Sequence, residues 1–238
     1  MIDPNASAIK IFSDGADIDQ IKSLAANAWV RGFTTNPTLM RKAGVIDYEA
    51  FAREVLTIVP EAPVSFEVFS DDFDDMDRQA RKIAAWGRNV YVKIPVTNTR
   101  AESSRELIRR LSDRGVRLNV TAILSLAQVE EVVASLEGTV GAIVSVFAGR
   151  IADTGRDPVP LMTEALGIVR SNSALELLWA SPREVLNIVQ AESIGCDIIT
   201  VTSELLAKLS GLGRDLEKLS LDTVKMFFDD AQSAGYSL

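Results

Sequence analysis

The chain of 238 residues contains no histidine. Histidine is the commonest general base and the commonest metal ligand, so its absence excludes serine–histidine and cysteine–histidine nucleophile arrangements. Acid–base chemistry must therefore come from aspartate, glutamate, lysine or tyrosine. The one cysteine, Cys196, excludes an internal disulfide framework and a cysteine-based metal cage, and it is typical of a reducing compartment.

Basic tracts and long apolar runs are also missing. The formal net charge is -8, and no arginine-rich run could neutralise successive phosphates, so we expect no nucleic-acid partner. No apolar run approaches the roughly 20 residues of a membrane helix. Residues 1–7 lack the basic start and apolar stretch of an export signal. We therefore expect a cytoplasmic protein with no membrane partner.

Eight short apolar runs alternate with amphipathic stretches along the chain. The runs are residues 8–14, 32–36, 63–68, 90–96, 117–123, 142–148, 174–180 and 197–202. Apolar residues three and four positions apart in the intervening stretches are typical of helices. This alternation predicts parallel strands joined by crossover helices, and eight units in roughly 250 residues predict an α/β chain with a (β/α)8 barrel. The alternative is a doubly wound open sheet, which usually has fewer strands and a glycine-rich nucleotide turn.

The last part of the chain predicts two further helices. Residues 203–210 are expected to form the helix of the eighth unit, and residues 221–232 form an amphipathic helix after a turn region at 211–218. We expect residues 1–238 to form one barrel domain. The terminal helix then either covers the barrel or packs on a neighbouring subunit.

Lys93 lies in the middle of the fourth apolar run, Val90-Tyr91-Val92-Lys93-Ile94-Pro95-Val96. Burial disfavours the charged form of a lysine, which leaves a fraction of free amine able to attack a carbonyl and form a Schiff base. We interpret Lys93 as a nucleophile on this ground. The alternative is a structural ion pair with a buried carboxylate.

Polar residues collect on one face of the predicted strands. Alternate side chains of a barrel strand point inward, and this parity defines an inward set made up of Asp14, Thr34, Asn36, Ser65, Glu67, Lys93, Asn119 and Thr121. Most lie near the carboxyl ends of strands, where barrel enzymes place catalytic residues. Any one of them alone is explained by a satisfied core hydrogen bond. Together they would cost on the order of several kcal/mol to desolvate without function or dense pairing.

Two segments resemble motifs of the transaldolase family, which includes the small type that contains fructose 6-phosphate aldolase. Gly32-Phe33-Thr34-Thr35-Asn36-Pro37-Thr38 looks like its threonine-asparagine-proline signature, and Val92-Lys93-Ile94-Pro95-Val96-Thr97 looks like its Schiff-base strand. The likeness continues in family order through residues 65–68, 119–121, 145–150 and 180–183. It implies that Lys93 is the Schiff-base nucleophile and that the reaction uses no metal and no organic cofactor.

The resemblance also implies roles for the other inward residues. Asp14 moves protons at the hydroxyl next to the cleaved carbon–carbon bond, and Glu67 with Thr121 positions the water that helps the carbinolamine dehydrate. Ion pairing to Lys93 is the alternative for either carboxylate. Four residues support the pocket or hold substrate hydroxyls: Asn36, Thr34, Asn119 and Ser145. Phe147 is assigned to the substrate pocket as well.

Arg150, Ser181 and Arg183 match the phosphate site of the family. Two guanidinium groups and a hydroxyl at a strand-to-helix turn suit the anionic end of a sugar, while a surface ion pair is the alternative for either arginine. The chain departs from the family at two positions. Val146 replaces the usual proline, and Pro182 replaces a bulkier apolar residue and removes an N–H that could have bound phosphate.

The activity that the resemblance implies is transfer of a dihydroxyacetone unit from a ketose phosphate to an aldose phosphate. We expect sugar phosphates to be the small-molecule partners and the protein to be a homo-oligomer. The resemblance associates glutamate at position 67 with transfer and glutamine with hydrolytic release, so it favours transfer. Three alternatives remain: an aldolase that releases dihydroxyacetone, another Schiff-base sugar aldolase, and a catalytically silent barrel that binds sugar phosphates.

Overall fold

Eight parallel strands close into a barrel in chain order, with the first strand paired to the eighth. The computed structural model describes residues 8–237; residues 1–7, from which no export signal is predicted, and residue 238 lie outside the described part. The strands are β1 Lys10–Asp14, β2 Val30–Thr34, β3 Val64–Glu67, β4 Val90–Pro95, β5 Leu118–Ile123, β6 Ala142–Val146, β7 Leu175–Trp179 and β8 Ile198–Val201. This closure confirms the predicted (β/α)8 barrel and excludes the open sheet.

Helices follow every strand and surround the barrel. They are α1 Ile18–Ala25, α2 Pro37–Lys42, α3 Tyr48–Ile58, α4 Phe73–Ala84, α5 Arg105–Asp113, α6 Leu126–Ser135, α7 Ala148–Ala152, α8 Pro158–Val169, α9 Leu186–Ser193, α10 Ser203–Lys208 and α11 Leu216–Ser233. A short 3-10 turn, Leu209–Gly211, follows α10. None of the helices within residues 8–237 is both long enough and apolar enough to cross a membrane.

Short polar side chains start many of these helices. Asp47 accepts the amide hydrogen of Ala50 at 3.0 Å at the start of α3, and Asp72 caps α4 in the same way. A carboxylate in this position satisfies amides that have no partner inside the helix.

The barrel separates two apolar layers. The larger layer packs the outward faces of the strands against the helices and includes Phe33, Val92 and Ile94. The inner layer lies inside the barrel, and its buried members are Phe12, Ile143, Leu178, Ala180 and Ile198. A Cβ on Gly32 would lie 2.6 Å from the Phe12 ring, so this glycine leaves room for the largest side chain of the inner layer. Because Val92 and Ile94 belong to the outer layer, the parity predicted for β4, with Lys93 on the inner face, is correct.

Several predicted boundaries differ from the structure. Strand β2 begins at Val30 and ends at Thr34 because Asn36 caps α2 and turns the chain out of the sheet. Strand β6 ends at Val146, since α7 begins two residues later. The terminal helix begins at Leu216 rather than at residue 221, because Asp215 caps it by accepting the amide hydrogen of Lys218 at 2.9 Å.

Candidate active site

Strand β4 carries Lys93 into the mouth of the barrel at the carboxyl ends of the strands. Its side chain is buried, and only 7% of the residue is exposed. The ammonium Nζ donates to the main-chain carbonyl of Thr35 at 3.0 Å and lies 3.2 Å from Oε2 of Glu67. Glu67 is the register partner of Lys93 on β3, so the sheet itself places the amine beside the carboxylate. This contact allows direct proton exchange between the two groups.

Asp14 ends β1 and lies in the same mouth. Its Oδ1 accepts a hydrogen bond from the Thr34 hydroxyl at 2.7 Å, and that hydroxyl lies 2.5 Å from the hydroxyl of Thr200 on β8. Desolvation by the surrounding protein raises the pKa of the Asp14 carboxyl. The charge of Lys93 and the bond from Thr34 oppose this rise, while the charge of Glu67 adds to it. The carboxyl therefore keeps its proton to a higher pH than an exposed aspartate.

Thr121 presents a buried hydroxyl near the end of β5. Its Oγ1 has no hydrogen-bond partner among the residues that the structure describes. The register of β5 against β6 shifts between Val120 and Ile123, and Ala122 has a φ of 63°. A bulge of this kind changes the direction in which a strand presents its side chains. The Thr121 hydroxyl is thus a buried polar group without a protein partner in the described chain.

Three further polar residues form a chain across β3, β5 and β6. The amide of Asn119 donates to the Ser65 hydroxyl at 3.0 Å and accepts from the Ser145 hydroxyl at 2.6 Å. All three are buried, so these bonds offset part of the cost of removing them from water. They pair with one another rather than with Lys93. Asn119 and Ser145 are the two of these for which the sequence predicts a supporting role.

Asn36 has a structural task in addition to the one expected of it. Its Oδ1 accepts the amide hydrogen of Leu39 at 3.0 Å and so caps α2. The side-chain oxygen is therefore engaged by the helix, and the side-chain NH2 is the group with donors for a ligand. Asn36 is partly exposed at the end of β2, two residues after Thr34.

The predicted anion residues follow β6 and β7: Arg150 lies in α7, and Ser181 and Arg183 lie on the loop after β7. Arg150 is exposed, and its guanidinium carbon lies 5.2 Å from the ring centre of Phe147, which also packs on the inner layer. Arg183 forms a two-bond ion pair with Asp153, with Nε 3.0 Å from Oδ1. That bond, assisted by the charge of Arg150, lowers the pKa of Asp153. The surface ion pair that was the alternative for Arg183 is thus formed.

Gly149 allows these two loops to meet. Its amide donates to the carbonyl of Ala180 at 3.2 Å. A Cβ at this position would lie 1.5 Å from the carbonyl oxygen of Ser181, so no other residue fits without a backbone shift. Ser181 itself has a φ of 58°, a conformation that non-glycine residues rarely adopt. The close approach brings α7, which carries Arg150, beside the loop that carries Arg183.

Sequence reasoning missed two groups at this site. Thr200 was included in an apolar run, although its parity and its polar side chain inside Ile-Ile-Thr-Val were a usable signal. The carbonyl of Thr35 carried no signal, because a main-chain acceptor is present at every residue. No cluster of three or more histidine, cysteine, aspartate or glutamate side chains suited to a metal occurs between residues 8 and 237.

Comparison with known proteins finds probable transaldolases among the relatives of this chain. A probable transaldolase of Dehalococcoides mccartyi is 37% identical over 202 residues, which covers 84% of this chain and 90% of the relative. A probable transaldolase of Methanococcus maripaludis is 35% identical over 203 residues, covering 84% and 89%. One from Syntrophobacter fumaroxidans is 35% identical over 207 residues, covering 85% and 89%.

Solved structures with the same fold are more distant. The 3-keto-L-gulonate-6-phosphate decarboxylase of Vibrio cholerae superposes with a TM-score of 0.55 at 13% identity, over 82% of this chain and 88% of that one. The 3-hexulose-6-phosphate synthase of Salmonella typhimurium gives 0.55 at 14%, over 82% and 89%. At these identities the likeness shows the fold alone. The family described as Transaldolase/Fructose-6-phosphate aldolase matches residues 11–238, and the chain belongs to that family.

Proposed function

We propose that the protein is a transaldolase that moves a dihydroxyacetone unit from a ketose phosphate to an aldose phosphate through a Schiff base on Lys93. The observation that carries the proposal is the position of one amine. The Lys93 Nζ is buried at the barrel mouth, 3.2 Å from a carboxylate that can take its proton. Membership of the transaldolase/fructose-6-phosphate aldolase family supports the same chemistry.

Imine formation begins when Glu67 accepts a proton from Lys93, directly or through a water. The free amine attacks the C2 carbonyl of the ketose, and the carbinolamine then loses its oxygen as water after protonation. Glu67 returns the proton for this step. The Thr121 hydroxyl, which has no partner among the described residues, holds the water that travels between the carboxylate and the carbinolamine. The product is an iminium, which carries the positive charge needed for the next step.

Cleavage of the C3–C4 bond follows when Asp14 removes the proton of the C4 hydroxyl. The electrons of the broken bond move into the iminium and give an enamine on Lys93, while C4 leaves as the carbonyl of an aldose phosphate. The acceptor aldehyde then enters and the steps reverse, with Asp14 returning its proton to the new alkoxide. The raised pKa of Asp14 suits this exchange, since the best proton carrier has a pKa near the working pH.

The anionic end of the sugar binds between α7, which carries Arg150, and the loop after β7, which carries Arg183. Arg150 is the readier cation, because Arg183 is bonded to Asp153 and must share its donors. The Ser181 hydroxyl lies on the same turn and adds a neutral donor. These local groups must attract the anion, since the chain as a whole carries a formal charge of -8.

Borohydride trapping tests the proposed donor and the proposed nucleophile together. Reduction in the presence of fructose 6-phosphate should add a dihydroxyacetone-derived mass to the peptide that contains Lys93. The Lys93→Met variant should show neither the adduct nor activity and should still bind the sugar phosphate. A wild-type protein that binds the sugar without forming an adduct contradicts the proposal and favours a silent binding barrel. An adduct from a different donor sugar points to another Schiff-base aldolase.

The choice between transfer and release depends on Glu67. Incubation with fructose 6-phosphate, with and without erythrose 4-phosphate, should give free dihydroxyacetone only as a minor product in the wild type. We expect Glu67→Gln to raise the share of free dihydroxyacetone by about tenfold relative to transfer, because the family resemblance associates glutamine at this position with hydrolytic release. Product masses measure this ratio, and an unchanged ratio would show that Glu67 does not handle the water.

A further inference from the structure

On the side that faces β2, the main-chain hydrogen bonds at the carboxyl end of β3 are made to a tyrosine side chain and not to a strand. The amide of Thr35 donates to the carbonyl of Ser65 at 3.1 Å, as in a parallel ladder. The next bond of such a ladder would join the amide of Glu67 to the carbonyl of Thr35. Instead the amide of Glu67 donates to the Tyr48 hydroxyl at 2.8 Å, and that hydroxyl donates to the carbonyl of Glu67 at 2.9 Å.

This exchange leaves the carbonyl of Thr35 free to bind the lysine. The carbonyl accepts from Lys93 Nζ at 3.0 Å, and the same nitrogen lies 3.2 Å from Oε2 of Glu67. If the amide of Glu67 closed the ladder, it would compete with the ammonium for this one oxygen. The Tyr48 hydroxyl removes that competition and holds both main-chain polar groups of Glu67 at the same time.

Tyr48 is well placed to act as a fixed anchor. It is the first residue of α3, and its ring packs edge-on against Phe66 at 6.2 Å, Phe69 at 4.8 Å and Trp86 at 5.5 Å between centres. Such aromatic contacts fix the direction of a ring. Desolvation raises the pKa of the Tyr48 hydroxyl, so it stays a donor throughout the physiological range.

We propose that Tyr48 is a positioning residue for the Lys93–Glu67 pair: its hydroxyl replaces the missing ladder bond and thereby reserves the Thr35 carbonyl for the amine. The inference rests on the proposed function of this site. Tyr48 touches neither the substrate nor the reacting atoms in this scheme and acts only through the end of β3.

The Tyr48→Phe variant tests this role because it removes the hydroxyl and keeps the ring. We expect kcat for transfer to fall by about tenfold while KM for the ketose phosphate changes by less than about twofold, since the pair is displaced and the substrate contacts are not. Reductive methylation with formaldehyde and cyanoborohydride gives a second measurement that needs no sugar. Lys93 should be methylated at least about threefold faster than in the wild type, because the amine has lost its carbonyl acceptor.

Lys22 on the surface of α1 serves as the internal standard for methylation. Two control variants separate the hydroxyl from other effects. Tyr236→Phe makes the same chemical change at an exposed position, and Trp86→Phe reduces the ring that packs on Tyr48 and leaves the Tyr48 hydroxyl in place. Both should retain wild-type methylation of Lys93. A Trp86→Phe variant that reproduces the Tyr48→Phe result would assign the effect to packing and overturn the proposal.

Unchanged methylation of Lys93 in Tyr48→Phe overturns the proposal whatever happens to activity. A wild-type measurement covers the case in which the variant does not fold: the amide of Glu67 should exchange with solvent as slowly as that of Val68, which bonds to the carbonyl of Lys93 at 3.2 Å. Fast exchange at Glu67 also overturns it. Borohydride trapping with fructose 6-phosphate addresses the proposed function separately, so the two ideas fail by different results.

Discussion

At the scale of single residues, the barrel mouth brings three ionisable side chains together. Lys93 is within contact distance of Glu67, and both charges act on Asp14. Because the site is partly desolvated, these interactions are stronger than they would be in water. The pKa of the Asp14 carboxyl therefore reflects its burial first and its charged neighbours second.

The pH dependence of stability should reveal the buried carboxyl of Asp14. Its pKa is raised above the ordinary value of 3.8 in the folded chain and is ordinary in the unfolded chain. The stability that it contributes is therefore complete below about pH 4 and is lost as the pH rises through the folded pKa. We expect the stability of Asp14→Asn relative to the wild type to increase between pH 4 and pH 8 in urea unfolding.

Asp19→Asn provides the matched control for this measurement, since the side chain of Asp19 on α1 is almost fully exposed. Its stability relative to the wild type should stay nearly constant over the same range. A difference for Asp14→Asn that is flat, or that decreases with pH, would contradict the raised pKa.

Thr200 should affect catalysis through the Thr34 hydroxyl. Thr200→Val keeps the shape of the side chain and removes the hydroxyl that lies 2.5 Å from that of Thr34. Loss of one buried hydrogen bond of about 1 kcal/mol beside Asp14 should lower kcat by roughly fivefold. Steady-state kinetics check this, with Thr57→Val as the control, because the Thr57 hydroxyl bonds within α3. Equal kcat values for Thr200→Val and the wild type would remove Thr200 from the site.

At the scale of elements, the ends of strands and the starts of helices build the site. The chain leaves the sheet after β2 because Asn36 caps α2. The carboxyl end of β3 therefore has no β2 residue to pair with. The loop after β6 turns at once into α7, which carries Arg150. Asp14 and Glu67 are the last residues of β1 and β3, whereas Lys93 lies inside β4, so the candidate site draws on both the strand ends and the rigid frame.

Gly149 gives a test of how closely the loops after β6 and β7 must approach. Gly149→Ala places a Cβ against the main chain of Ser181, so we expect the free energy of unfolding to fall by about 2 kcal/mol or more. The Michaelis constant for erythrose 4-phosphate should rise more than that for an unphosphorylated aldehyde, because the added Cβ pushes the segments that carry Arg150 and Arg183 apart. Urea unfolding and acceptor kinetics provide the two measurements.

The control for this prediction is Gly167→Ala in α8, where nothing lies within 4 Å of the added atom. That variant should be unchanged or more stable by up to about 1 kcal/mol, since alanine favours a helix over glycine. Similar losses of stability at the two glycines would show that the close approach at Gly149 is not a constraint.

At the scale of the whole molecule, α11 is the element that the barrel does not bury. None of its residues is buried, and Phe227 and Phe228 are 63% and 62% exposed. Other large apolar side chains that α11 exposes are Leu216, Leu219, Leu221, Val224 and Met226. Exposed apolar surface of this extent marks an interaction site in a soluble protein. We propose that α11 packs on another subunit of a homo-oligomer, as its amphipathic sequence suggests.

Sedimentation equilibrium can test the part that α11 plays in assembly. We expect the wild type at about 10 μM to have a multiple of the protomer mass. The Phe227→Ser/Phe228→Ser double variant should shift toward the protomer mass. Burial of these two side chains against another subunit would contribute roughly 3 to 6 kcal/mol to association. Lys225→Ser on the same helix should leave the mass unchanged. A wild type that sediments as the protomer would contradict the proposed oligomer.

The closed barrel was predictable because its signal is repeated. Eight apolar runs at regular spacing, with helical periodicity between them, leave few other ways to bury so much apolar surface. Alternation along β4 also placed Lys93 and Tyr91 on the inner face, as the structure does. Boundaries were predicted less well, as at β2 and α11, because caps such as Asn36 and Asp215 act through single side chains.

Sequence alone thus determined the periodicity, the polar residues of the inner face and the lysine in an apolar strand, since these are properties of spacing and side-chain type. Only the tertiary structure decided that Thr35 offers its carbonyl to Lys93, that Tyr48 holds the end of β3, and that Asp153 occupies Arg183. Those contacts join residues far apart in the chain, and the first two involve main-chain atoms, which carry no signal in the sequence. Their choice depends on which strand ends first and which loops approach, and that is a property of the folded chain.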